Sequence, residues 1–225
     1  MDLLLDTADL AQIEYALQYY PIRGVTTNPT MLSRLAQTHV VSHLKEIRSL
    51  IGDERDLHVQ LMAQDEETML REARHLVSLL GEQTFIAIPV TEVGLSAIKK
   101  LAQEGLNITA STVFSTIQGI LAMLSGARYV AVFYDRMLNL DIDASKVIKE
   151  LAGLLWTNTS STQVLAASFR NVAEVTSAYA SGAGCCTVKP ELLSTGLSMP
   201  SIKKAVQDFA DDWQKVYGEK TLLDL

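Results

Sequence analysis

The sequence predicts a single (β/α)8 TIM barrel with an additional C-terminal helix, the whole of residues 1–225 forming one domain. Three observations predict it. A length of 225 residues suits one α/β barrel, which commonly takes about 200 to 250. Short apolar runs alternate with helical patterns of about ten or more residues, repeating at roughly 20 to 35 residues. An open doubly wound sheet, the competing architecture, usually carries a GxGxxG fingerprint after its first strand, and Leu3-Leu4-Leu5-Asp6-Thr7-Ala8-Asp9 contains no glycine.

The apolar runs fall at residues 3–5, 24–26, 57–62, 85–90, 106–111, 129–133, 163–167 and 185–188, each followed by a turn signal and a helical pattern. No Pro-, Gly- or Ser-rich linker, low-complexity tract or sequence repeat interrupts the alternation. Beyond Met199-Pro200-Ser201, apolar residues recur at Ile202, Val206, Phe209, Trp213 and Tyr217, one stripe of an amphipathic helix over 200–217 with proline in its first turn. Such a stripe packs either on its own barrel or on a neighbouring subunit.

Composition narrows the function. Apolar residues make up 48% and charged residues 20%, and no segment approaches the roughly 18 uninterrupted apolar residues of a membrane span. The acidic start, Met1-Asp2-Leu3-Leu4-Leu5-Asp6, lacks the basic region and long apolar stretch of a secretory signal, which predicts a cytoplasmic protein. A formal charge of -7 argues against a nucleic-acid surface, so an anionic ligand must be met by a few placed cations. Adjacent Cys185 and Cys186 read as small buried thiols, since a disulfide between neighbours is strained. His39 and His43 share a helix face without a third ligand, so they read as a solvated face; no metal and no cofactor is implied.

In a barrel, reactive side chains gather at the C-terminal ends of the strands. Period-two alternation places Thr26 with Asn28, Ala131 with Phe133, and Ala166 with Ser168 on common faces, and the polar members point into the mouth. Asp6 ends the first strand and Gln60 lies in the third. Each has a plainer reading: Asp6 as the cap of a helix starting near Thr7, and Asn28-Pro29 as an ordinary helix start. Together, an acid, an amide and a hydroxyl at successive strand ends suit proton transfer around a carbonyl. Arg136, Ser168 and Arg170 follow the sixth and seventh strands and form a phosphate clamp, unless an Arg pairs with a carboxylate such as Asp135. Lys189 ends the eighth strand, within reach of the mouth or as a surface loop lysine.

Four segments together resemble the transaldolase and fructose-6-phosphate aldolase family: Leu5-Asp6-Thr7-Ala8, Gly24-Val25-Thr26-Thr27-Asn28-Pro29-Thr30, Ile88-Pro89-Val90-Thr91-Glu92-Val93-Gly94-Leu95 and Leu165-Ala166-Ala167-Ser168-Phe169-Arg170-Asn171. They run in order from the first strand to the seventh, and the length is similar to that of the family's short members. The resemblance implies class I aldol chemistry on ketose phosphates such as fructose 6-phosphate, by carbon–carbon cleavage or three-carbon transfer through a lysine imine on strand four. It also implies a homo-oligomer and a sugar phosphate as the small-molecule partner. By the same resemblance, Asp6 supports proton transfer and Thr26 and Asn28 bind substrate or orient the imine. Gln60 falls at the position of the catalytic water and Ser111 replaces a threonine. Phe133 binds substrate, and Arg136, Ser168 and Arg170 take the phosphate. Gln60 is aldolase-like and Phe133 transaldolase-like, which leaves the two reactions open. The departure is at Ala87, in Phe85-Ile86-Ala87-Ile88-Pro89, where the family pattern has its lysine. A methyl group forms no imine. The chain is then either an enzyme inactivated by a Lys-to-Ala change or a natural, non-catalytic sugar-phosphate-binding paralogue.

Overall fold

The computed structural model describes residues 1–34 and 39–224. Eight parallel strands close a barrel in chain order: β1 (Asp2–Asp6), β2 (Ile22–Thr26), β3 (Asp56–Gln60), β4 (Thr84–Pro89), β5 (Asn107–Val113), β6 (Tyr129–Phe133), β7 (Gln163–Ala167) and β8 (Cys185–Val188). The last three match the apolar runs residue for residue. The others begin or end up to two residues away, in part because polar residues such as Asp2, Asp56 and Thr84 extend the ladders at the strand starts.

Alternation along each strand makes two cores. Leu4, Phe85, Tyr129, Ala131, Leu165 and Cys185 fill the barrel interior, with Phe133 packed against them. Their neighbours Ile86, Ile88, Ala110, Val130, Val132, Ala166, Cys186 and Val188 face outward against the helices. The cysteines are therefore free, buried and on opposite faces of β8. Ala166 does not share the inward face expected for it: Leu165 and Ala167 hold that face on β7. Ser168 reaches the mouth because its φ of 66° breaks the alternation at the strand end. Toward the strand N-termini the floor is polar, where buried Asp56 accepts hydrogen bonds from Tyr129 Oη (3.2 Å) and Arg23 Nη2 (3.3 Å). Glycine at 24 permits this approach of β2 to β3, since a Cβ there would lie 2.3 Å from the Asp56 carbonyl oxygen.

One local expectation, the solvated His43, is corrected and two open alternatives are narrowed. Asp9, not Asp6, caps the first helix (Leu10–Tyr19), accepting from Gln12 N at 3.0 Å and leaving Asp6 to the barrel. His43 is buried rather than solvated, because its Nε2 lies 2.6 Å from the Ala8 carbonyl oxygen; His39 is exposed. The helix Pro200–Tyr217 buries none of its residues, and Phe209 and Val206 are 74% and 64% exposed, so its stripe does not pack on its own barrel. Among the described residues no helix is long and apolar enough to cross a membrane, and no cluster of three metal-ligating side chains occurs.

Candidate active site

Two adjoining cavities occupy the C-terminal end of the barrel. The inner one, about 70 Å³, is lined by Asp6, Thr26, Asn28, Gln60, Ala87, Ser111 and Phe133 along with His58, Thr109 and Thr187. Parallel register sets this ring: Asp6 pairs with Thr26, Gln60 with Ala87, and Pro89 with Ser111. Thr187 and Thr26 hydroxyls lie 2.6 Å apart, and Thr26 Oγ1 donates to Asp6 Oδ1 at 3.2 Å, a short relay ending on the carboxylate. Burial pushes the Asp6 carboxyl up to about 6, against the opposing pull of the Thr26 bond and the Lys189 and Arg136 charges. An acid poised there both gives and takes protons near neutrality. Asn28 does both things expected of it, capping the helix Pro29–Ser33 through Met31 N (3.0 Å) and lining both cavities.

The outer cavity, about 300 Å³, shares Asp6, Asn28, Phe133 and Ala167 with the inner one and adds Arg34, Asp135, Arg136, Ser168, Arg170 and Lys189. Its volume is at the lower end of small-molecule sites. The Arg136 guanidinium lies over the Phe133 ring, 4.9 Å from its centroid, which holds the planar cation without using its N–H donors. Arg170 is bound to Asp135 at 2.9 Å, so one carboxylate already engages the clamp. The Arg170 side chain is 68% exposed and that of Asp135 only 13%, so the pair joins a solvated guanidinium to a mostly buried carboxylate. Ser168 sits in left-handed backbone, a conformation that costs a non-glycine residue about 1–2 kcal/mol and here aims its side chain into the cavity.

All ten residues singled out from the sequence line these two cavities: Asp6, Thr26, Asn28, Gln60, Ala87, Ser111 and Phe133 around the inner one, and Arg136, Ser168 and Arg170 around the outer one. Sequence reasoning missed His58, Thr109, Thr187 and Arg34. The first three share strand faces with Gln60, Ser111 and Cys185, a signal available from period-two counting. His58 stacks on Phe85 (4.7 Å, 11°) and places Nδ1 2.9 Å from Thr109 Oγ1, while its buried Nε2 and the buried Ser111 Oγ have no partner. Burial pushes the His58 imidazole down to about 3, below the ordinary 6.5, so the fold holds it neutral. Unfolding lets it take a proton, so stability is lost as pH falls through 6.5 toward 3. His58→Phe removes that linkage and is expected to lower the acid-unfolding midpoint by roughly half a pH unit, measured by circular dichroism.

The mouth of this closed β/α barrel thus gathers a buried acid, hydroxyls and guanidinium groups. The family model for transaldolase/fructose-6-phosphate aldolase matches residues 3–220. A relative from Streptococcus pneumoniae (strain ATCC 700669 / Spain 23F-1), named "Probable fructose-6-phosphate aldolase", is 41% identical over 222 residues, which is 99% of this chain and 100% of the relative. A crystal structure described as that of a Pediococcus acidilactici lactate oxidase aligns with a TM-score of 0.59 at 12% identity, covering 99% of this chain and 73% of the other, a likeness of fold alone. The chain belongs to the transaldolase/fructose-6-phosphate aldolase family.

Proposed function

We propose that this barrel binds a ketose phosphate such as fructose 6-phosphate for class I aldol chemistry, cleavage or three-carbon transfer, and that Ala87 closes the strand-four route to the imine. The observation that carries the reading is the 6%-exposed Ala87 methyl group set among Asp6, Thr26, Asn28, Gln60, Ser111 and Phe133, directly below an outer cavity lined by Arg136, Ser168 and Arg170. The phosphate sits on the guanidinium groups and the Ser168 hydroxyl, and the sugar chain descends toward Asp6. Asp6 exchanges protons with the substrate oxygens through its place beside Thr26, and Asn28 and Gln60 offer amides to hydroxyls or to a water. Ser111 Oγ, buried without a partner, is free to bond a substrate oxygen.

Arg136→Ala tests this directly. A charge-assisted bond to phosphate contributes about 1.5–3 kcal/mol, so affinity for fructose 6-phosphate is expected to fall roughly 10- to 100-fold in calorimetric titration. An unchanged affinity in a folded variant removes the phosphate site from this place. The exposed stripe of Ile202, Val206 and Phe209 fits assembly with further copies of the chain, and we propose a cytoplasmic homo-oligomer on the same footing.

A further inference from the structure

We infer that Lys189 is the imine-forming amine of this barrel, meeting in the outer cavity the carbonyl of a ketose whose phosphate rests on Arg136, Ser168 and Arg170. The inference rests on the ketose-phosphate reading above. Among the described residues Lys189 is the one lysine lining either cavity, beside five other charged residues, Asp6, Arg34, Asp135, Arg136 and Arg170. Its placement follows from register. Leu5 of β1 pairs with Val188 of β8, so the residues that follow them, Asp6 and Lys189, leave two adjacent strand ends side by side. The backbone is pinned on both sides, by buried Val188 and by buried Pro190 at the start of the helix Pro190–Leu197, while the Lys189 side chain stays exposed.

Chemistry separates this lysine from the arginines. Arg136 and Arg170 remain charged and lack nucleophilicity, whereas an amine that loses one proton has a lone pair for a carbonyl carbon. Among the described residues Lys189 Nζ enters no ion pair, in contrast to Arg170 on Asp135. Its nearest-placed acid by register, Asp6, carries a carboxyl raised to about 6 by burial, suited to both halves of the proton traffic. After Nζ gives one proton to solvent or to the Asp6 carboxylate, it attacks the ketose carbonyl carbon, the C–O π pair moves to oxygen, which takes a proton, and the nitrogen releases a second proton to recover its lone pair. The Asp6 carboxyl then protonates the resulting hydroxyl, which leaves as water while the nitrogen lone pair forms the protonated C=N bond. Cleavage of the bond between the α and β carbons sends its electron pair into a new C=C bond while the C=N π pair moves to nitrogen, leaving an enamine, and the β-hydroxyl gives its proton to Asp6 and becomes an aldehyde carbonyl. Adding back a proton and a water releases the three-carbon ketone and regenerates the amine. No oxidant or reductant is consumed.

The test treats the full-length protein with fructose 6-phosphate, and separately with dihydroxyacetone, then reduces with sodium borohydride and maps adducts by intact and peptide mass. The expected result is a reduced ketose adduct on the peptide containing Lys189, abolished in Lys189→Arg, which keeps the positive charge and removes the nucleophilic amine. An adduct confined to another lysine overturns the inference. So does the absence of any adduct when calorimetry shows that fructose 6-phosphate binds, an outcome that leaves the ketose-phosphate reading standing. Absence of both binding and adduct removes the two together. Loss of binding in Lys189→Arg without an adduct in the parent overturns the imine and makes Lys189 a phosphate ligand.

Discussion

Ala87→Lys is expected to yield an adduct at position 87 after borohydride reduction with fructose 6-phosphate, and to raise carbon–carbon cleavage at least about a hundredfold, the scale on which one placed catalytic group acts. The introduced amine enters beside Gln60 and Thr109, its register partners on β3 and β5, and opens into a cavity shared with Asp6, Thr26, Asn28 and Ser111. Burial at this position disfavours the ammonium form, which favours the nucleophilic amine at neutral pH. The same burial makes the substitution costly to the fold, by about 1–3 kcal/mol in urea unfolding. Peptide mapping reads position 87 apart from Lys189, so the strand-four and strand-eight routes are separable in one digest. A folded variant without an adduct at 87 contradicts the proposal that the strand-four position opens to the ketose carbonyl.

Asp6→Asn is expected to stabilise the fold at pH 8 and to abolish adduct formation. Burial is the largest influence on this carboxyl and holds it near 6, above its ordinary 3.8, with Thr26, Lys189 and Arg136 offsetting only part of the shift. The sign follows from proton counting: between 3.8 and 6 the folded chain binds the proton that the unfolded chain has released. Stability is therefore greatest below 3.8 for this group and falls as pH rises through about 6. An amide keeps the acceptor for Thr26 and removes the charge, which is worth about 2–3 kcal/mol at pH 8, or roughly 5–10 °C in Tm, and close to nothing at pH 4. Thermal melts of both proteins at the two pH values check this. Equal Tm differences at pH 4 and pH 8 contradict the assignment of a buried, proton-sharing acid.

Much of this site was legible before any coordinates, for a physical reason: strand alternation and the barrel rule convert spacing into position. Period-two counting pairs Thr26 with Asn28, the barrel rule brings in Asp6 at the end of the first strand and Gln60 in the third, and Ala87 stands out because four segments keep the family pattern around it. Where the backbone leaves regular geometry, counting fails. Ser168 reaches the mouth through a left-handed turn, while Ala166, which alternation paired with it, faces the helices. Tertiary contacts are equally invisible to spacing: the His43 bond to the Ala8 carbonyl reverses its apparent exposure, and Asp135 engages Arg170 from the end of a different strand. His58 and Thr109 lie inside the runs 57–62 and 106–111, each two residues from Gln60 or Ser111 on the same strand face. The stripe of the helix Pro200–Tyr217 specifies which face is apolar, and nothing in a stripe says whose surface covers it.

The central claim, that the mouth of this barrel is a ketose-phosphate site, is tested most directly by titrating the unaltered chain with fructose 6-phosphate and with fructose in the same calorimetric experiment. Two guanidinium groups and a hydroxyl dedicated to phosphate predict a preference for the phosphorylated sugar of at least about tenfold, diminishing as salt is raised. Equal affinity for the two sugars contradicts the account.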